Sequence, residues 1–355
     1  MYLTFKELRH DKLKFSALGL IIFLIVFLVL FITGLANGLA NDSGSAIKET
    51  SAQSFVLQKG SQARLNRSEL SATDWNKFKN KYHGSAAKLS VNQATIQKTN
   101  NASKKTDITY FMIDANSFLS PKLTSGQKLT NKDNNQVVVS DKLKSSGYKI
   151  GSSIKDSASG QTFKIAGFTD NKAYSHTPVI YLNQKQAQKV LPMKTGFNAI
   201  ALKKNLNSSS KYQVINKKTL INAIPGYSAE QGSLYLMVGF LYIISLFVLA
   251  VFFYIINLQK LNDFGTLKAL GTDTSYLVKH VLSEMGILAI VAILVSFLIT
   301  YLIELKMPAS MPFSLSLPVL LGTGGLFLLI TLISAILSLI KVVKVDPITA
   351  IGGNN

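Results

Sequence analysis

Side chains able to do covalent chemistry are sparse in this chain. The four histidines, His10, His83, His176 and His280, are scattered, and there is no cysteine. No H-E-x-x-H, G-x-S-x-G or G-x-x-x-x-G-K-[ST] stretch occurs, so no metalloprotease, hydrolase or P-loop motif is present. Lack of cysteine excludes disulfides and thiolate metal sites. No residue is therefore assigned a catalytic or metal-binding role. The spacing that stands out is mechanical. In FGTLKALGT, residues 264–272, the apolar Phe264, Leu267 and Leu270 recur at i, i+3 and i+6, and Lys268 is the single charge. Gly265 and Gly271 frame the stretch and permit tight bends at both ends. A short helix with such a face can insert into a groove on a partner. The alternative is a simple surface turn that touches only lipid headgroups.

The surrounding elements decide what such a helix is attached to. Four apolar runs, 15–36, 234–258, 285–303 and 317–340, contain no Asp, Glu, Lys, Arg or His. Each is long enough to cross a bilayer, which takes about 20 residues. The first run has a basic flank (Lys6, Arg9, Lys12, Lys14), but signal-peptide cores run only about 7–15 residues. It is expected to stay as a true span. Spans free of ionisable groups argue against a proton-coupled carrier. Any energy for transport must then come from elsewhere.

Orientation follows from basic residues in the short segments. The N-terminus, the 259–280 loop (Lys260, Lys268, Lys279) and the tail 341–355 (Lys341, Lys344) are expected to be cytoplasmic. Residues 1–14 read as an amphipathic helix on the inner membrane surface. Residues 41–230 and the short 304–316 loop are placed outside. The outer segment holds 28 Lys/Arg and 11 Asp/Glu, so +17 of the formal +20 lies there. That excess favours anionic surfaces such as lipid headgroups. An extracytoplasmic location argues against nucleic acid as the partner.

The expected fold is an integral membrane α-helical protein with four transmembrane helices and a mixed α/β extracytoplasmic domain between the first and second. Strands are expected at 54–58, 108–113, 136–140, 162–168, 178–182 and 198–202. Helices are expected at 69–82, capped by Ser68 or Ser71, and at 183–191. The Ser/Asn/Lys/Thr-rich stretch 84–106 reads as a mobile loop. Residues just before the second span, through IPGYSAEQ, are expected to lead into a helix continuous with it. Gly34 and Gly38 form a G-x-x-x-G pair, which lets two helices approach closely and suggests dimer packing.

The stretch FFYIINLQKLNDFGTLKALGT resembles the signature of FtsX-like, MacB-type ABC transporter permeases. KVDPITAIGG is similar to that family's closing motif, and VVVSDKLKSSGYKIGSSI with TFKIAGF to its external core domain. The resemblance implies that residues 264–271 (Phe264, Gly265, Leu267, Lys268, Leu270, Gly271) form a coupling helix. That helix would dock on a separate ATPase, which binds the ATP. It also implies a homodimer with two ATPase copies in a bacterial plasma membrane, and motion transmitted mechanically rather than through a pore. LFITGLANGLA, AYSHTP, GYSAEQ and MPFSLS look like the haem-efflux subgroup of HrtB type. That likeness implies haem as the transported ligand, with no intrinsic cofactor. Tyr and His are among the protein ligands of haem iron, so it points to Tyr174, His176, Tyr227 and Glu230 as contacts, with Lys172 for a propionate. Two other classes fit the motifs: a permease for antimicrobial peptides or lipid-linked substrates, and a non-transporting regulator of a wall hydrolase.

Overall fold

The computed structural model describes residues 12–99, 101–132, 135–191, 196–207, 210–308 and 311–339, with the backbone alone over 101–104. The expected helix 1–14 and the tail 341–355 therefore lie almost wholly outside the described residues. The elements follow in chain order: helix α1 (Lys12–Lys48), β1 (Ser54–Gln58), α2 (Ala72–Lys81), β2 (Ala86–Lys98), β3 (Asn101–Ile113), β4 (Leu123–Gly126) and β5 (Gln136–Ser140). Next come α3 (Lys142–Ser145), β6 (Ser153–Asp156), β7 (Thr162–Thr169), β8 (Ala173–Tyr174), β9 (Thr177–Asn183), α4 (Gln184–Val190), β10 (Ala199–Leu202), β11 (Tyr212–Asn216) and α5 (Lys217–Asn222). The chain ends with α6 (Tyr227–Gln259), α7 (Leu261–Ala269), α8 (Thr274–Lys306) and α9 (Leu317–Ser338). Two compact units result: a helical one (Met1–Asn37, Gly232–Met307, Phe313–Asn355) and an α/β one (Gly38–Gln231, Pro308–Pro312).

In the helical unit α1, α6, α8 and α9 are each long and apolar enough to cross a membrane. They overrun the apolar stretches. A helix satisfies its own backbone and so continues into polar sequence until something breaks it. Ile22, Val26 and Leu30, then Phe253, Met285, Ala289, Phe327 and Ala335, point into the bundle core. Leu20, Leu24 and Leu28, with Phe240, Phe247, Leu294 and Leu298, point outward. Where lipid is as apolar as leucine, burial does not drive helices together, so close packing and hydrogen bonds must. The bundle supplies both. Ser296 Oγ donates to the Phe23 carbonyl (3.1 Å), Ser334 Oγ to the Leu246 carbonyl (3.0 Å) and Asn257 Nδ2 to Ser338 Oγ (2.8 Å).

In the α/β unit the strands form one mixed sheet in the order β11-β1-β10-β2-β3-β9-β5-β7-β4. Strand β6 pairs with both β2 and β7, so β2, β3, β9, β5, β7 and β6 close into a ring. Side chains alternate between its two faces, as the strand period of two requires. Ile108, Tyr110, Met112, Val137, Val139, Ile180 and Leu182 fill one core cluster. Phe111, Ile113, Val138, Val179 and Tyr181 fill another, which also receives Ala46 and Ile47 from the end of α1. Strands buried on both faces read as continuous apolar runs. That is why 108–113, 136–140 and 178–182 were visible in the sequence.

The largest correction falls on 84–106. Instead of a loop it forms most of the β2–β3 hairpin, paired from Leu89↔Ile113 to Gln97↔Lys105. Ala87, Leu89 and Val91 are buried at strand spacing on one face and Ile96 on the other, but Ser, Asn, Gln and Lys between them hide the alternation. The short strands β4, β6, β8 and β11 were also not expected. Helix α2 starts later than 69 because Ser71 caps it: Ser71 Oγ accepts from the Asp74 amide (3.2 Å), and Asp74 answers with a bond from the Ser71 amide (3.0 Å).

Candidate functional site

Two regions bear on function, one in each unit. In the α/β unit, Ala173 and Tyr174 of β8 pair with Pro178 and Thr177 of β9, leaving Ser175 and His176 as a two-residue turn. Both have positive φ (51° and 62°). This is the type I′ pattern, which ordinarily uses Asn-Gly. The strained turn is held by the C-terminal end of α1. Ser175 N–H donates to the Ser43 carbonyl (2.9 Å) and His176 N–H to the Asp42 carbonyl (3.1 Å). Ala173 N–H donates to Ser45 Oγ (2.9 Å). Ion pairs Lys142–Asp42 and Lys172–Glu49 flank these bonds. His176 Nε2 lies 2.9 Å from Ser43 Oγ and 3.2 Å from Glu230 Oε2 in the first turn of α6. The imidazole thus sits between the end of one long helix and the start of another.

The expected haem contacts are only partly brought together. His176 and Glu230 meet. Tyr174 does not present its hydroxyl to a ligand surface; the residue is 8% exposed, with its ring edge-on to Phe111 at a centroid distance of 5.6 Å. Burial pushes its phenol above the ordinary range, so it stays neutral and is no ready phenolate for ferric iron. Tyr227 packs against the same core cluster as Tyr174. Lys172 is also buried, which lowers its ammonium, and its partner is Glu49 rather than an open propionate site.

The short helix of the helical unit also departs from expectation. Phe264 is 2% exposed in the bundle core, and Gly265 is buried beside it. Leu267 is half-buried against the same core, and only Leu270, 78% exposed, projects fully. The apolar stripe therefore anchors α7 to the bundle, and the outward surface is Asn262, Asp263, Thr266, Ala269 and Leu270. Gly271 ends the helix at φ +91°, where Thr272 N–H reaches the Leu267 carbonyl (3.0 Å). Lys268, the expected charged contact, is half-buried.

Gly34 and Gly38 are both buried within the chain. A Cβ at Gly34 would lie 2.5 Å from Phe313 Cζ, and Ser314 N–H donates to the Gly34 carbonyl (3.0 Å). The room at Gly34 that suggested a second copy is filled by Phe313 of the same chain.

Sequence reasoning passed over one contact altogether. Lys260, at the bend between α6 and α7, donates to Glu284 Oε1 of α8 at 2.7 Å, and Glu284 is fully buried. Its ammonium also lies 5.0 Å from the Phe15 ring centroid on α1. Glu284 falls one residue before the uncharged run 285–303. A carboxylate at the rim of an apolar helix was the available signal.

Residues 235–347 match the family described as FtsX-like permease C-terminal. Over 358 residues, spanning 99% of both chains, the sequence is 31% identical to the putative hemin transport system permease protein HrtB of Staphylococcus haemolyticus. It is 29% identical over 364 residues to a protein of the same description from Staphylococcus epidermidis, again spanning 99% of each. Among solved structures, the periplasmic region of MacB from Actinobacillus actinomycetemcomitans covers 51% of this chain and 96% of its own, at TM-score 0.38 and 15% identity. The extracellular domain of the ABC-type transporter YknZ covers 46% and 99%, at TM-score 0.34 and 14% identity. Likeness at those scores leaves the fold description unchanged.

Proposed function

The chain belongs to the FtsX-like permease family, as the permease subunit of an ABC transporter, and from that premise we propose that it exports haem or a related porphyrin. The observation that carries this reading is the alignment along essentially the whole chain with relatives described as hemin transport permeases. The working unit is two copies of this chain with two copies of an ATPase subunit. Both termini and α7 face the cytoplasm, and the α/β unit lies outside a bacterial plasma membrane. The +17 outer segment suits an anionic propionate edge and anionic lipid.

The pair His176 and Glu230, with Tyr227 nearby in sequence, is the remaining candidate for ligand contact. For His176 Nε2 to reach iron, its contacts with Ser43 and Glu230 must open. Ligand capture and the grip on the two helix ends then exclude one another. ATPase motion that shifts α1 or α6 would switch between them, expelling the ligand into the medium. This is transmission through helices rather than a pore.

The deciding experiment is a haem titration of the purified full-length chain in detergent, read by the Soret band, beside the haem sensitivity of a deletion strain. Saturable binding together with a haem-sensitive deletion strain is expected. A chain that binds no haem, with a deletion strain of unchanged sensitivity, overturns the haem reading and leaves the peptide, lipid and hydrolase-regulator alternatives.

A further inference from the structure

The bend between α6 and α7 is tied to every other long helix of the bundle by side chains from two residues. Asn257, 1% exposed and one turn before the bend, donates to Ser338 Oγ of α9 at 2.8 Å. Lys260, at the bend itself, donates to Glu284 Oε1 of α8 at 2.7 Å and lies over Phe15 of α1. Its backbone has left helical geometry (φ −90°, ψ 4°), so α7 sets off in its own direction from this residue. Phe264, one turn further on, is sunk in the same core.

A charged pair buried in a helical bundle is costly to desolvate, and apolar residues of similar volume often serve stability equally well or better. Stability alone is therefore a poor reason for placing Lys260 and Glu284 here. Geometry supplies another. An ion pair with a short, directed hydrogen bond allows one relative position of α7 and α8, whereas apolar contacts permit sliding. We propose that Lys260 and Glu284 are positioning residues for energy coupling: they make α7 and α8 move as one body, so that a push on α7 enters the bundle through α8. The proposal rests on the reading of α7 as the ATPase contact.

The test uses the double variant K260M/E284L, which removes both charges and keeps apolar bulk, and the reversal K260E/E284K. The natural chain has no cysteine, so spin labels at Leu270→Cys and Leu298→Cys, both exposed positions, report the α7–α8 distance in the full-length chain. The double variant is expected to fold and to co-purify with the ATPase subunit at the wild-type ratio. Its label–label distance distribution should broaden, and permease-stimulated ATP hydrolysis should fall about 5-fold or more. Charge reversal should restore a narrow distribution and part of the stimulation. A double variant with wild-type distance distribution, or with wild-type stimulation, overturns the proposal. Failure of the wild-type chain to bind or stimulate the ATPase would instead overturn the docking reading, and the distance measurement on the chain alone would still decide the joint.

Discussion

The polar joint at His176 and the one at Lys260 do similar work under opposite solvent conditions. Both hold one long helix against another. The His176 and Glu230 side chains are 42% and 28% exposed, whereas Lys260 and Glu284 are 13% and 0% exposed. Within reach of water a single bond contributes little, and the His176 turn is tied to α1 by many, three backbone amides, two flanking ion pairs and the imidazole, whereas it reaches α6 through Glu230. Away from water one pair suffices, because leaving either partner alone is expensive. The His176 joint can open piece by piece, which suits the proposed competition between ligand and grip. The Lys260 joint holds or fails as a whole.

That contrast makes its sharpest prediction at Glu284. Glu284→Gln leaves a buried ammonium without its carboxylate and should destabilise the chain by about 3–5 kcal/mol. Thermal unfolding in detergent measures this; a shift no larger than that of a surface substitution would break the contrast. Tyr174→Ala comes next. Removing a buried aromatic costs about 3 kcal/mol, so haem binding, if lost, should be lost together with domain stability. Retained stability with selective loss of haem would return Tyr174 to the ligand surface.

His176→Ala should be milder, about 1 kcal/mol, because the turn keeps its backbone bonds to α1. Its effect on the Soret titration should exceed its effect on stability. A loss of stability matching that of Glu284→Gln would show that the His176 joint is not divisible. An effect of similar size near neutrality is expected at Asp74, whose contacts lie within the α/β unit. Burial works to raise its carboxyl, but hydrogen bonds from Tyr212, Ser71 and Lys211 outweigh it and hold the group well below the usual carboxylate range. A depressed folded-state value gives stability that is present above the unfolded value, about pH 4, and is lost as pH falls through the folded value. Asp74→Asn should cost about 1 kcal/mol near neutrality and flatten that acid limb. An unchanged acid limb in a pH-stability series would remove Asp74 as its source.

Much of the architecture was legible in the residues. Runs of uncharged apolar sequence announced α1, α6, α8 and α9, and Val137–Val139 announced a strand buried on both faces. Ser71 was one of two expected caps for α2, and the helix expected at 183–191 is α4, while the capping pairs Ser71–Asp74 and Asn183–Gln186 emerged only in the structure. The β2–β3 hairpin was not legible, because polar residues outnumber the buried ones and pairing with a distant partner outweighs composition. The site was legible only as a set of names. The structure brings His176 and Glu230 together, but in the sequence Tyr174 and Lys172 stood beside them with equal claim.

What the sequence by itself determined is what depends on neighbours in the chain. A bilayer admits an uncharged helix of about 20 residues, a serine three residues before an acid caps a helix, and Gly271 can take a positive φ without penalty. The tertiary structure alone decided which side of each element faces inward. It turned Phe264 into the bundle and Leu270 out, filled the space at Gly34 with Phe313, and set Lys260 against Glu284 and His176 between Ser43 and Glu230. Those pairings join residues 24 to 279 positions apart. They form only once the closely packed interior leaves each side chain a single place to go, and no local pattern encodes that choice.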